Sequence, residues 1–231
     1  MSVIATVGVG NYPFAVALNP LGSRAYVANM NGNSVSVINT ATNAVVATVS
    51  VGNRPWSVAV NPDGSRLYVA NNQSHTVTVI NTDINFVIGT ISLGSAVFPN
   101  AVRVNSDGTR AYTANDNGTV SVIDTSNNTL VASVNMGVEG SDVALNPSGT
   151  RAYVSNYYDA TVTVINTATN AVVATIGVGY EPNHVAVNPA GTRAYVTNYY
   201  NGTLSVIDTA TNTVIKTVSV GSNPYGLAIK P

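Results

Sequence analysis

Residues 24–29 read RAYVAN, and the phrase returns as RLYVAN at 66–71, RAYTAN at 110–115, RAYVSN at 151–156 and RAYVTN at 193–198. The leading arginines stand 42, 44, 41 and 42 residues apart, which makes the chain first of all a repeat protein. One unit, 13–52, divides into four short runs: PFAVALNP, RAYVAN, SVSVINT and AVVATVSVG, joined by LGS, MNGN and TATN. Serine, threonine and valine alternate in the third run with the period of two that a strand requires. Each break carries Gly, Pro, Asn or Asp, the residues that tolerate turn geometry. No stretch shows helical periodicity. Four antiparallel strands per unit predict an all-β fold, a β-propeller of four-stranded antiparallel blades, whose ring protects most sheet edges.

Strand counting fixes the expected domain plan. The repeats run 13–52, 55–94, 99–137, 140–179 and 182–221 within a single propeller domain, 1–231. SVIATVGVG at 2–10 matches a fourth, outermost strand, and PYGLAIKP at 224–231 matches a first, innermost one. These are partial units, 1–10 and 224–231, of a sixth blade without its second and third strands. The two leftover strands cannot pair, because two strand positions of about 4.8 Å each lie between them. Closure is therefore expected in a homo-oligomer, by exchange of terminal strands or by blade-face packing. The alternative is a monomer closing as a six-fold ring with one stunted blade.

Composition narrows the function. Charged residues make up 8% of the chain and the net charge is −1, which argues against a nucleic-acid partner, since that calls for a basic patch. There is no cysteine, hence no disulfide framework, thiolate metal site or thiol nucleophile. No apolar run approaches the length of a membrane span, so no membrane insertion is expected. The first residues, MSVIATVGVG, have neither a basic region nor a long apolar core and do not read as a signal peptide.

The pattern resembles the YVTN family of β-propeller repeats, known from archaeal and bacterial surface-layer and other envelope proteins. YVTN itself stands at 195–198, VIDTATN at 206–212, and INTATN at 38–43 and 165–170. The resemblance spans the whole chain and implies a prokaryotic cell-surface or envelope setting. It implies a scaffold rather than a chemistry, because fold does not fix activity.

Comparing the units with one another separates frame from decoration. The first-to-second turns agree closely (NPLGSR, NPDGSR, NSDGTR, NPSGTR, NPAGTR). On the other face the inter-blade connections and second-to-third loops diverge, and rigid scaffolds carry function on such loops. Tyr26, Tyr68, Tyr112, Tyr153 and Tyr195 read as buried blade aromatics. The arginines at 24, 66, 110, 151 and 193 read as structural bonds to turn carbonyls or a neighbouring blade. Asn29 and its equivalents read as loop fasteners through side-chain-to-backbone bonds. Ten further aromatics fall on the variable face. Of these, Phe14 and Trp56 read as mouth-plugging residues. Tyr157, Tyr158, Tyr180, Tyr199, Tyr200, Trp56, Tyr12 and Tyr225 are the candidate ligand contacts. Tyr and Trp give large, rigid contact area at low entropy cost, and the ligand class expected is a carbohydrate or a protein.

A second group belongs at the axial mouth. His184 takes the place of small residues in other first strands, with Asp142 one blade earlier and Glu181 and Glu139 in the flanking connections. Arg103 replaces an alanine within a first strand and needs a carboxylate, from Asp142 or Glu139. One histidine among acids reads more simply as a hydrogen-bonded polar plug than as a base or metal ligand. No catalytic residue, metal or cofactor is therefore expected. The leading reading is a non-catalytic surface binding module. The alternatives are a lactonase- or lyase-like propeller enzyme using the mouth, and a purely structural surface-layer subunit.

Overall fold

Asn-Pro stops and glycine turns between the runs permit only short antiparallel strands. The computed structural model describes residues 2–229 and contains five four-stranded sheets, with no helix among those residues. In the first sheet β1 (Pro13–Leu18), β2 (Arg24–Asn29), β3 (Ser34–Asn39) and β4 (Ala44–Ser50) lie side by side in chain order. The other blades begin at Pro55–Val60, Pro99–Val104, Gly140–Leu145 and Pro182–Val187 and repeat that order. Gly22, Gly64, Gly108, Gly149 and Gly191 hold the first-to-second turn with φ between 65° and 79°, a region open to glycine at no steric cost. Met1, Lys230 and Pro231, at the ends of the two partial units, lie outside the described residues.

Register explains the repeated phrase. Tyr26 lies opposite Val37 on one side and Ala17 on the other, and Tyr68, Tyr153 and Tyr195 repeat this Val–Tyr–Ala row. In the third blade the alanine position opposite Tyr112 is Arg103. Four apolar layers form, each between the tyrosine face of one blade and the opposite face of the next. Tyr26, Tyr68, Tyr112 and Tyr153 are buried in them, and burial of a side chain this size contributes several kcal/mol at about 25 cal/mol per Å².

Each turn arginine is tied either to a backbone carbonyl or to an aspartate of its own blade. Arg24 Nη1 donates to the Thr82 carbonyl of the next blade at 2.6 Å, and Arg66 likewise reaches the Thr125 carbonyl. Arg110 and Arg193 instead pair within their own blade, with Asp124 at 2.5 Å and Asp208 at 2.7 Å. Those two blades end the third strand in Asp where the others have Asn39, Asn81 and Asn166. Arg151 donates to the Thr150 carbonyl at 3.1 Å.

The asparagine that closes the phrase acts differently from the expectation. Asn29 Nδ2 donates to Ser34 Oγ at 3.1 Å and Ser36 Oγ at 3.0 Å, so it fastens side chain to side chain rather than to backbone. Asn71, Asn115, Asn156 and Asn198 do the same with two hydroxyls of the third strand. The alternating hydroxyls of that strand present a ready pair of acceptors, while its backbone is already committed to the ladder.

Candidate functional site

The first strands create the mouth. Pairing with the second strand skips a residue near each start, between Pro13 and Ala15, Pro55 and Ser57, and Gly140 and Asp142. Such a bulge re-aims the skipped side chain. Phe14 and Trp56 are skipped residues in adjacent blades, and their rings meet at 4.8 Å with the planes 57° apart. Tyr225, the counterpart in the C-terminal segment, lies 6.3 Å from Phe14, 5.2 Å from His184 and 6.5 Å from Tyr199. An aromatic arc therefore runs from the second blade through the first to the fifth. Arg54 adds its guanidinium 5.4 Å from the Trp56 ring centroid.

Outside this arc stand two edge-to-face pairs. Tyr157 and Tyr158 have centroids 5.1 Å apart, and Tyr180 and Tyr200 6.4 Å, both with planes 89° apart. The first tyrosine of each tandem is tied inward. Tyr157 donates its hydroxyl to Glu181 Oε2 at 2.9 Å, while Tyr199 packs towards Tyr225. Burial, helped by the Glu181 carboxylate, pushes the Tyr157 hydroxyl up to about 12, which keeps it a donor. The second tyrosines face solvent, Tyr158 at 75% and Tyr200 at 73% exposure. Tyr12 and Tyr180 are exposed as well. The connections that carry these residues are strained: Tyr12, Arg54, Glu181 and Asn223, each preceding a proline, have φ of 52–56°.

The axial polar group does not gather into one site. Arg103 Nη2 bonds Asp142 Oδ1 at 2.9 Å, and its Nη1 donates to the Val102 carbonyl and Ser57 Oγ. Asp142 Oδ2 accepts from the Val185 amide at 3.3 Å, so the nearly buried carboxylate is committed at both oxygens. His184 sits one blade on, with Nδ1 2.8 Å from Asn183 Oδ1 and its ring against Tyr225. Burial pulls the His184 pKa down, against the pull of Asp142. Glu181 belongs to Tyr157, and burial, together with the neighbouring Asp116, raises the Glu139 carboxyl to about 7. Of the expected five residues, Arg103, Asp142 and His184 thus stay within electrostatic reach of one another, while Glu181 pairs with Tyr157 and Glu139 with Asp116. Among the described residues no three of His, Cys, Asp or Glu come together as a metal site would need. Sequence reading missed Ser57 and Asn183, small polar residues whose roles depend on which blade lies next to them.

A cavity of about 630 Å³ lies elsewhere, on the conserved-turn face between the second and third blades, lined by Asn61, Arg66, Tyr68, Arg110 and Asp124 among others. Asn61, Arg66, Tyr68 and Arg110 are repeated frame residues, so this groove is a product of the scaffold. The chemistry that differs between blades is on the tyrosine face.

A family model described as "Choice-of-anchor I domain" matches residues 2–229. Among solved structures, the chain is similar to Kuenenia stuttgartiensis hydrazine synthase, with 24% identity and a TM-score of 0.82, over 98% of this chain and 73% of that one. At that identity the likeness carries the propeller fold and not the neighbour's reaction. No curated protein matches the sequence.

Proposed function

The chain belongs to the choice-of-anchor I domain family, a propeller-like surface-anchor family, and from that premise we propose that it is a non-catalytic recognition module that holds a neutral glycan on its tyrosine face. The observation that carries the reading is the pair of solvent-facing tyrosines, Tyr158 and Tyr200, each braced edge-on by another aromatic. A braced ring offers a flat apolar surface for the C–H face of a sugar, with little rotamer entropy left to lose. Asp159 and the neighbouring backbone carbonyls supply acceptors for sugar hydroxyls. The face is lysine-free and Arg54 is committed to Trp56, which favours an uncharged ligand over an anionic one. The resemblance to YVTN repeats points to the same cell-surface setting.

A hydrolytic reading has less support. His184 packs against Tyr225 with its Nδ1 2.8 Å from Asn183 Oδ1, and the Asp142 carboxylate is paired with Arg103 rather than with the imidazole. A histidine base works best when a third group orients it, and the carboxylate nearest to that role, Asp142, is already paired with Arg103.

The test is a glycan array followed by titration calorimetry on the best hit. Tyr158→Ala with Tyr200→Ala should weaken binding about 10–100-fold while melting stays within the ~0.5 kcal/mol typical of surface changes. Unchanged affinity in the double variant would remove the glycan reading.

A further inference from the structure

Both ends of the chain occupy one shared position in the ring. Thr197 Oγ1 donates to the Tyr225 carbonyl at 3.1 Å, and one blade earlier Ser155 Oγ donates to the Asn183 carbonyl at 3.0 Å. Thr197 and Ser155 are equivalent, as are Tyr225 and Asn183, so residues 224–229 lie where the innermost strand of a sixth blade would lie. The N-terminal end obeys a matching rule. A Cβ at Gly10 would come within 2.6 Å of Asn29 Cγ, as one at Gly179 would with Asn198 Cγ and one at Gly52, at 2.8 Å, with Asn71 Cγ. Gly52 and Gly179 follow fourth strands, so residues 2–10 lie where the outermost strand of the sixth blade would lie. Neither segment is in a ladder.

The faces that flank this slot are uncovered. Val16 is 66% exposed, whereas its equivalents Val58, Val102, Val143 and Val185 are 5% or less. On the other side Tyr195 and Val206 are half-buried, where Tyr26 and Val37 are fully covered. We propose that this slot binds a β-hairpin from outside residues 1–231, of the same second-and-third-strand type that fills the middle of the five complete blades. The hairpin would present an aromatic–valine row to the first blade and a β-branched row to the fifth, as each internal hairpin does to its neighbours. Its two edges would meet the free edges of 224–229 and 2–10, adding main-chain bonds on both sides. A second copy of this chain has no spare second and third strands, and exchange of ends would return the same two segments.

The experiment uses the full chain and a synthetic peptide of residues 190–209, the hairpin of the fifth blade. The expected result is 1:1 binding, with a melting rise of about 5–10 °C at a hundredfold excess over Kd. Amide exchange at 2–10 and 224–229 should slow on binding. Val16→Asp, at an exposed position, should abolish the peptide effect in a protein that still melts cooperatively. No binding or melting shift at high micromolar peptide would overturn the proposal. So would concentration-dependent dimerisation that the peptide cannot reverse, which would give the two faces to a second copy.

Discussion

Asn71 shows how one residue holds a blade. Its Nδ2 reaches Thr76 Oγ1 at 3.1 Å and Thr78 Oγ1 at 2.8 Å, and it is fully buried. Asn71→Ala leaves those hydroxyls without their donor, and unfolding in urea should show a loss of about 1–3 kcal/mol. A second residue gives a pH signature. The carboxyl of Glu139 is raised to about 7 by burial and by Asp116, so the folded protein keeps a proton that the unfolded chain releases from about 4.5 upward. The unfolded state binds fewer protons in that interval, so stability falls as pH rises from about 4.5 to about 7 and then levels off. Glu139→Gln should match the parent at pH 4 and melt above it at pH 8. Equal melting at both values would show that Glu139 ionises freely.

At the scale of strands and loops, the period-of-two runs and Gly turns were enough to place every ladder, because each local choice agrees with the same geometry. The loops behaved otherwise. The pairing of Arg110 and Arg193 with in-blade aspartates was written in VID against VIN, yet which carbonyl the other arginines reach depends on blade spacing, and Arg151 reaches that of Thr150. The polar group at the mouth was legible as a set of residues but not as pairs: Asp142 over Glu139 as the partner of Arg103 was settled by packing across two blades. Glycines at strand ends give a check of the same kind. A Cβ at Gly179 would meet Asn198 atoms at 2.6–2.8 Å, while one at Gly177 would meet nothing within 4 Å. Gly179→Ala should cost about 1–3 kcal/mol by overpacking, and Gly177→Ala should be neutral or slightly stabilising. Denaturant midpoints of the two variants distinguish them.

Across the whole molecule, five blades share four buried layers, and a sixth position is framed by the chain's own ends. That arrangement makes equivalent residues unequal. Val143→Asp would bury a charge in a closed layer and should cost more than about 4 kcal/mol, enough to unfold most of the population. Val16→Asp, at the matching place on the open face, should change stability little. The most direct test is amide hydrogen exchange on the full chain, comparing sequence-matched segments. Residues 171–177, a fourth strand bonded to its blade, and residues 2–10, which carry the same sequence pattern outside any ladder, differ in environment far more than in sequence. An unpaired 2–10 predicts slow exchange at the bonded amides of 171–177 and exchange near the unprotected rate throughout 2–10. Equal protection of the two segments in the isolated chain would contradict it.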